Sequence, residues 1–264
     1  MNDFALFGND LFGEPVKPKA SGPVAERFTL PPFTILDSRT GEWQKRKRAW
    51  LAMGISSEES REDVLCYRGA KEGKQDFMGE MMRDRGGSVS IFDPTVCELA
   101  YRWFSPEGGQ VVDPFAGGSV RGIVAGALGR SYWGCDLRPE QVAANEAQAD
   151  EIAPAARPVW VCGDSMETLP EAPEADFVFS CPPYGDLEKY SDDPRDLSAM
   201  DWHASVAAYK RTILRAVGRM KPDTFACFVV GDFRDGRGFY RNFVSTTIEA
   251  FEECGARLYN EAIL

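Results

Sequence analysis

The sequence predicts an α/β protein with a doubly wound, mostly parallel sheet and a small N-terminal extension. Short apolar segments alternate with helix-like segments from about residue 89 onward, and these apolar segments are nearly continuous. Several of them end in Asp or in a Gly-containing turn. Strands that alternate with helices form a parallel sheet covered on both faces. A chain of 264 residues can bury one sizeable core of this kind.

Each element follows from a local pattern. Pro94 suits the first turn of a helix over 94–104. Apolar segments predict strands over 110–113, 131–136, 158–164, 175–180, 224–232 and 257–264. Polar and apolar residues at helical spacing predict helices over roughly 119–129, from 137 to about 150, over 201–220 and over 240–254.

The N-terminal third differs in composition. Residues 1–30 are rich in Gly, Pro and Lys and predict a flexible tail, whereas residues 31–88 form a basic and aromatic region. Its densest positive cluster, Lys45, Arg46, Lys47 and Arg48, lies between Trp43 and Trp50. Either these residues contact nucleic acid, or they form a solvated helix face with the tryptophans packed underneath. Residues 69–88 predict a mobile loop near a ligand site.

Composition limits the classes of function. The net charge of −11 argues against a general nucleic-acid coat protein, although a local basic face would serve a DNA enzyme. No apolar run is long enough for a membrane span, and no secretory signal is evident. Seven scattered cysteines and a single histidine predict reduced thiols and no metal site. We therefore expect a cytoplasmic protein that involves neither membrane nor metal.

Polar residues mark the carboxyl ends of three predicted strands, where open α/β sheets bind ligands. Asp113 closes the first strand, and Gly117 and Gly118 follow in a tight turn that allows close backbone approach. Asp136 closes the second strand and suits hydrogen bonds to ribose hydroxyls. Asp164 closes the third strand and suits an adenine amino group. The absence of GxGxxG argues against a nicotinamide enzyme.

The most informative motif, Cys-Pro-Pro-Tyr at 181–184, follows the strand over 175–180. This loop resembles the catalytic motif of methyltransferases that act on an exocyclic amino group of a nucleobase. Such an amino group is a poor nucleophile, because its lone pair is delocalised into the ring. A side-chain acceptor at Cys181 and the carbonyl of Pro182 would bind its hydrogens, and Pro183 would help fix that carbonyl. The ring of Tyr184 would stack on a flipped-out base. The proximity and orientation of the amino group relative to a methyl donor would then supply most of the rate.

Together with the Asp-Pro-Phe-Ala-Gly-Gly-Ser motif at 113–119, this tetrapeptide gives the sequence a resemblance to class I methyltransferases that use S-adenosylmethionine. It resembles the DNA amino-methyltransferases, especially the short enzymes carried by bacteriophages, over about 89–264. The resemblance implies a Rossmann-like methyltransferase sheet, S-adenosyl-L-methionine as cofactor, DNA as partner, and a prokaryotic or phage-infected host cell. The cofactor residues that it implies are Phe92, Asp93, Thr95, Asp113, Phe115, Gly117, Gly118, Asp136, Leu137, Asp164, Ser165 and Cys181.

Two positions depart from the family pattern. The glycine loop usually reads DPFxGSGT, whereas here the final glycine and serine are exchanged. Cys181 replaces the usual Asp, Asn or Ser, and a thiol is a weak acceptor. The target base, adenine N6 or cytosine N4, therefore stays open. Cys181 as a covalent nucleophile is disfavoured, because cytosine C5 methylation normally uses a Pro-Cys order.

The remaining expectations concern substrate and completeness. By elimination, residues 31–88 are the candidate for DNA recognition. The usual seventh, antiparallel strand is expected to be absent, which would make the chain a fragment or one completed by a partner such as a second copy. Methylation of RNA or of a protein glutamine is an alternative, as is a DNA-binding regulator that keeps the fold without turnover.

Overall fold

The computed structural model describes residues 35–55, 65–66 and 92–264. The predicted flexible tail at 1–30 and mobile loop at 69–88 lie outside these residues. The helices of six or more residues are α1 (Gly41–Leu51), α2 (Pro94–Phe104), α3 (Val120–Ala127), α4 (Pro139–Ile152), α6 (Trp202–Val217) and α7 (Phe243–Glu253), with a single turn, α5 (Ser165–Thr168), between α4 and α6. The strands are β1 (Leu65–Cys66), β2 (Gln110–Asp113), β3 (Ser131–Asp136), β4 (Val159–Cys162), β5 (Ala175–Ser180), β6 (Glu188–Lys189) and β7 (Met220–Phe228).

Five strands form one sheet in the order β4-β3-β2-β5-β7, and every pairing within it is parallel. The predicted doubly wound α/β fold is therefore confirmed. The strand order changes direction between β2 and β5, so the crevice at their carboxyl ends is the expected ligand site. A second sheet of two short strands pairs β1 with β6 in antiparallel fashion.

Both faces of the sheet are buried, as the continuous apolar segments predict. Neighbouring residues of one strand enter opposite cores: Val111 packs with Phe177 on one face, whereas Val112 packs with Val178 on the other. All four side chains are fully buried. The central strands therefore have no polar face, and polar chemistry is confined to their ends.

Helix boundaries follow local capping. The side chain of Asp93 accepts a hydrogen bond from the backbone N–H of Thr95, and Pro94 follows it at the start of α2. Asp201 caps α6 in the same way. Gly129, with a φ of +75°, reverses the chain after α3. Within the described ranges, no helix is both long and apolar enough to cross a membrane.

Two predicted strands near the C-terminus were misjudged. The strand predicted over 257–264 is wrong, because among the described residues this segment makes a single parallel bridge, between Ile35 and Ile263. The strand predicted over 224–232 begins earlier, at Met220, and ends at Phe228. Its start contains Pro222 and the left-handed residue Asp223, which read as a turn in sequence.

A buried carboxylate joins α1 to α2. Glu98 is fully buried and accepts hydrogen bonds from Nε of Arg46 at 2.9 Å and from Nε of Arg102 at 3.0 Å. The indole of Trp50 donates a further bond to it at 2.9 Å. Burial opposes ionisation, but these donors outweigh it and hold the pKa of Glu98 below its ordinary value.

We expect Glu98→Gln to lower the free energy of unfolding by about 2–3 kcal/mol at pH 7, because it leaves two arginines without their charged partner. A depressed folded-state pKa gives stability that is present above the unfolded value near 4.5 and is lost below the folded value. The difference between wild type and variant should therefore shrink as the pH falls below about 4.5. Urea unfolding at several pH values measures it, with exposed Glu146→Gln as control. A pH-independent difference would contradict this assignment.

Candidate active site

A cavity of about 670 Å³ opens at the carboxyl ends of the strands, a size typical of small-molecule sites. The structure brings most of the sequence-predicted residues to its wall. They are Phe92, Asp93, Phe115, Gly117, Gly118, Asp136, Leu137, Asp164, Ser165, Cys181, Pro182, Pro183 and Tyr184. The two motif loops, which are far apart in sequence, therefore face one space.

Two predicted cofactor residues do not line the cavity. Thr95 is fully buried in the first turn of α2, and its hydroxyl has no hydrogen-bond partner among the described residues. Asp113 is also fully buried. Direct contact of either side chain with a ligand has no support from this arrangement.

The carboxylate of Asp113 instead accepts four hydrogen bonds from within the protein. One oxygen accepts from Nε of Arg121 at 2.6 Å and from the hydroxyl of Tyr132 at 2.8 Å. The other accepts from the hydroxyl of Ser180 at 2.5 Å and from the backbone N–H of Phe115 at 3.1 Å. Because Ser180 immediately precedes the Cys-Pro-Pro-Tyr tetrapeptide, Asp113 connects the two motif loops.

Arg121 is a cavity residue that the sequence reasoning missed. Its guanidinium donates to the carbonyls of Phe115 and Ala116 at 2.6 and 2.7 Å and lies 4.8 Å from the ring centre of Phe92. Burial alone would lower its pKa, but the charge of Asp113 outweighs burial and raises the pKa above its ordinary value. Arg121 is therefore a permanent cation in the cavity wall. The available signal was a lone charge in the apolar helix α3.

The glycine loop is held from both sides. Gly117 has a φ of +50°, which favours glycine. Its N–H donates to the carboxylate of Asp136 at 3.0 Å, and its carbonyl accepts from the side-chain amide of Asn145 at 2.7 Å. The loop is thus fixed between the end of β3 and helix α4. The exchanged order of Gly118 and Ser119 leaves this turn intact, and Gly118 lines the cavity.

Asp164 and Ser165 form the far end of the cavity wall. One carboxylate oxygen of Asp164 caps α5 by accepting the N–H of Met166 at 2.8 Å. No bond to its second oxygen occurs among the described residues. The hydroxyl of Ser165 donates to the carbonyl of Pro114 and so ties α5 to the loop after β2.

Aromatic side chains support the tetrapeptide. The Tyr184 ring lies 6.0 Å from Phe233, edge to face, and 5.9 Å from Phe243. Pro182 is buried, whereas Cys181 and Tyr184 are half-buried at the cavity. These contacts pack the Tyr184 ring against two buried aromatic side chains.

The four basic residues of α1 divide into two groups. Arg46 is bonded to Glu98, and Lys47 lines the cavity and forms a 3.0 Å ion pair with Asp93. Lys45 and Arg48 are exposed. Of the two interpretations from sequence, the tryptophans are indeed packed underneath, and a nucleic-acid role for all four residues stays a prediction.

The cavity also contains polar side chains that sequence reasoning did not select. Besides Lys47 and Arg121, they include Arg138, Gln141, Tyr190, Arg195, Asp196 and Arg211. No local motif marks them, because they come from helices, from the connection before α4 and from the loop after the tetrapeptide. Tertiary folding alone brings them to the site.

No protein-family model matches the chain. No curated protein matches it either. Among solved structures, TrmN from Thermus thermophilus has a TM-score of 0.43 at 17% identity, over 52% of this chain and 38% of that one. Precorrin-6y C5,15-methyltransferase from Geobacter metallireducens has a TM-score of 0.43 at 16% identity, over 61% and 69%.

Magnesium protoporphyrin IX methyltransferase from Synechocystis, a structure with bound SAM, has a TM-score of 0.43 at 13% identity, over 70% of this chain and 75% of that one. The chain thus spans well under half the length of the first of these three proteins. With TM-scores below 0.5, these likenesses decide nothing about activity, which must be inferred from the cavity itself.

We expect Asp113→Asn to lower the free energy of unfolding by about 3–5 kcal/mol, because it removes the charge that compensates buried Arg121. Asp164→Asn should change it by less than about 0.5 kcal/mol, because Asn caps helices as well as Asp does. Denaturant unfolding of the two variants measures both values. If both variants lost the same free energy of unfolding, the assignment of a charge-dependent structural role to Asp113 alone would be contradicted.

Proposed function

We propose that this protein is an S-adenosylmethionine-dependent methyltransferase that modifies the exocyclic amino group of a flipped-out base in DNA, adenine N6 or cytosine N4. The observation that carries the proposal is the shared cavity. The Cys-Pro-Pro-Tyr tetrapeptide after β5 and the glycine loop after β2 face the same space. Each has the residue types that one half of this reaction requires.

The cavity residues fit the proposed cofactor. Asp136 lies at the end of β3, in position for ribose hydroxyls, and the second carboxylate oxygen of Asp164 suits the amino group of an adenine. Phe115, Leu137 and Met166 contribute apolar surface to the wall, which suits the ring of an adenine. The cofactor would supply an electrophilic methyl group bound to a sulfonium.

The tetrapeptide would position the target amino group. The carbonyl of Pro182 would accept one of its hydrogens, and Cys181 would contact the other. The Tyr184 ring, held by Phe233 and Phe243, would stack on the extruded base. A strong base would not be needed, because the methylated nitrogen would be cationic and would lose its proton readily to water. Cys181 therefore acts as a contact to the amino group and not as a nucleophile.

Mass spectrometry of nucleosides from cells that express the protein tests the proposal. We expect N6-methyladenine or N4-methylcytosine, which also identifies the base. Cys181→Ala should lower the yield strongly, whereas Cys254→Ala, a thiol outside the cavity wall, should leave it unchanged. Folded protein that binds the cofactor and modifies no DNA would overturn the DNA assignment. It would favour RNA, a protein side chain or a regulatory role.

Tyr184→Ala should lower the methylation rate about 5- to 150-fold, which corresponds to the loss of one base–aromatic stacking contact. Tyr184→Phe keeps the ring and should stay within a few-fold of wild type. Rates at saturating cofactor separate this effect from cofactor binding. If the two variants were equally impaired, the hydroxyl and not the ring would be the important group.

Asp164→Asn should raise the dissociation constant for S-adenosylmethionine about five-fold, because a charge-assisted hydrogen bond becomes a neutral one. Exposed Asp150→Asn in α4 is the matched control. Isothermal titration calorimetry measures both constants. An unchanged constant for Asp164→Asn would move the adenine to another part of the cavity.

A further inference from the structure

The segment between β7 and α7 forms a small hairpin, residues 233–241. Arg234 and Tyr240 form an antiparallel bridge, and the N–H of Asp235 donates to the carbonyl of Phe239 at 2.8 Å. The Asp235 carboxylate also accepts the N–H groups of Arg237 and Phe239 at 2.9 and 3.0 Å. The turn is therefore fixed by its own hydrogen bonds, although its tip is exposed.

The hairpin exposes cationic and aromatic groups together. The side chain of Arg237 is 83% exposed, and the rings of Phe239 and Tyr240 are 67% and 57% exposed. The guanidinium of Arg234 lies 3.9 Å from the Tyr240 ring centre. The adjacent rings of Phe239 and Tyr240 form an exposed apolar patch, and such a patch beside charged groups is typical of an interaction site. Guanidinium groups pair with phosphates and rings stack on bases, so this combination suits nucleic acid.

The acidic residues of this segment have structural partners. Asp235 accepts the turn N–H groups described above, and its carboxylate lies 3.5 Å from Nε of Arg237. Asp232 accepts the N–H of Val244 at the start of α7 at 3.2 Å. Residues 233–241 nevertheless contain three arginines and one aspartate, on a chain whose net charge is −11. A local basic element on an acidic protein is an electrostatic signal for an anionic partner.

The base of the hairpin touches the candidate catalytic loop. Phe233 is buried, and its ring lies 6.0 Å from Tyr184 and 5.6 Å from Trp202. The tip at Gly238 is five residues further, which limits its distance to about 17 Å at about 3.3 Å per residue. A nucleic-acid strand with one base in the cavity would need to extend no further than this distance to contact the hairpin.

We propose that hairpin 233–241 is a DNA-contacting element that binds the strand beside the target base. Arg237 contacts a phosphate, and Phe239 and Tyr240 stack on a neighbouring unpaired or extruded base. This proposal rests on the proposed function, which it deepens by assigning a substrate-binding surface outside residues 31–88.

Three variants test it: Arg237→Ala, Phe239→Ala and Tyr240→Ala. Binding to a fluorescent mixed-sequence DNA duplex and to its separated strands is measured over a range of salt concentrations. Arg237→Ala should reduce the slope of log affinity against log salt by about one. Each ring variant should weaken binding about five-fold or more without changing that slope.

The control is Arg215→Ala, an exposed arginine in the last turn of α6, which should keep wild-type affinity and slope. Cofactor affinity and thermal midpoint should stay unchanged in all four variants. If the wild type methylates DNA and the hairpin variants bind DNA as it does, the hairpin assignment is overturned while the proposed function stands. If the wild type neither binds nor methylates DNA, the proposed function fails and the hairpin assignment fails with it. Selective loss of RNA binding in the variants would also overturn the assignment to DNA.

Discussion

The buried ion pair between Asp113 and Arg121 is the interaction on which the cavity depends. The carboxylate of Asp113 accepts hydrogen bonds from α3, from β3, from the end of β5 and from the loop after β2. Removing two charges from water is costly, and only a fully satisfied arrangement offsets that cost. Here the remaining acceptor positions are filled, and Arg121 also holds the carbonyls of Phe115 and Ala116. The two motif loops are therefore oriented before any ligand binds.

The sequence predicted the central sheet well because strands buried on both faces carry their own signal. The segments at 110–113, 131–136 and 175–180 match the observed strands residue for residue. The C-terminal segment failed for a nonlocal reason. Residues 257–264 have strand-like composition, but a strand also needs a partner edge. Within the described ranges, the segment pairs through the single bridge between Ile263 and Ile35. Composition gives propensity, whereas pairing depends on the remainder of the fold.

The candidate site likewise contains residues that a local pattern predicts and residues that only tertiary contacts position. Asp136, Asp164 and the tetrapeptide reach the cavity because a position at a strand end fixes their place in an open sheet. Side-chain direction is not fixed in this way, so Asp113 was predicted as a ligand contact although it points into the protein. The basic residues of α1 differ in exposure for a similar reason. Arg46 binds Glu98, which lies 52 positions further along the chain. Such a contact has no local signature.

Asp93 has a further consequence, because it contacts both α1 and α2. It caps α2 and lines the cavity, and its carboxylate holds both Lys47 and the indole of Trp43 from α1. A displacement of α1 would therefore alter the cavity wall. A partner that binds α1 and shifts Asp93 would change the affinity of the cavity for its ligand. Thermodynamic reciprocity then requires that the ligand change the affinity of α1 for that partner by the same factor. Through Asp93, the position of helix α1 is therefore coupled to ligand binding in the cavity.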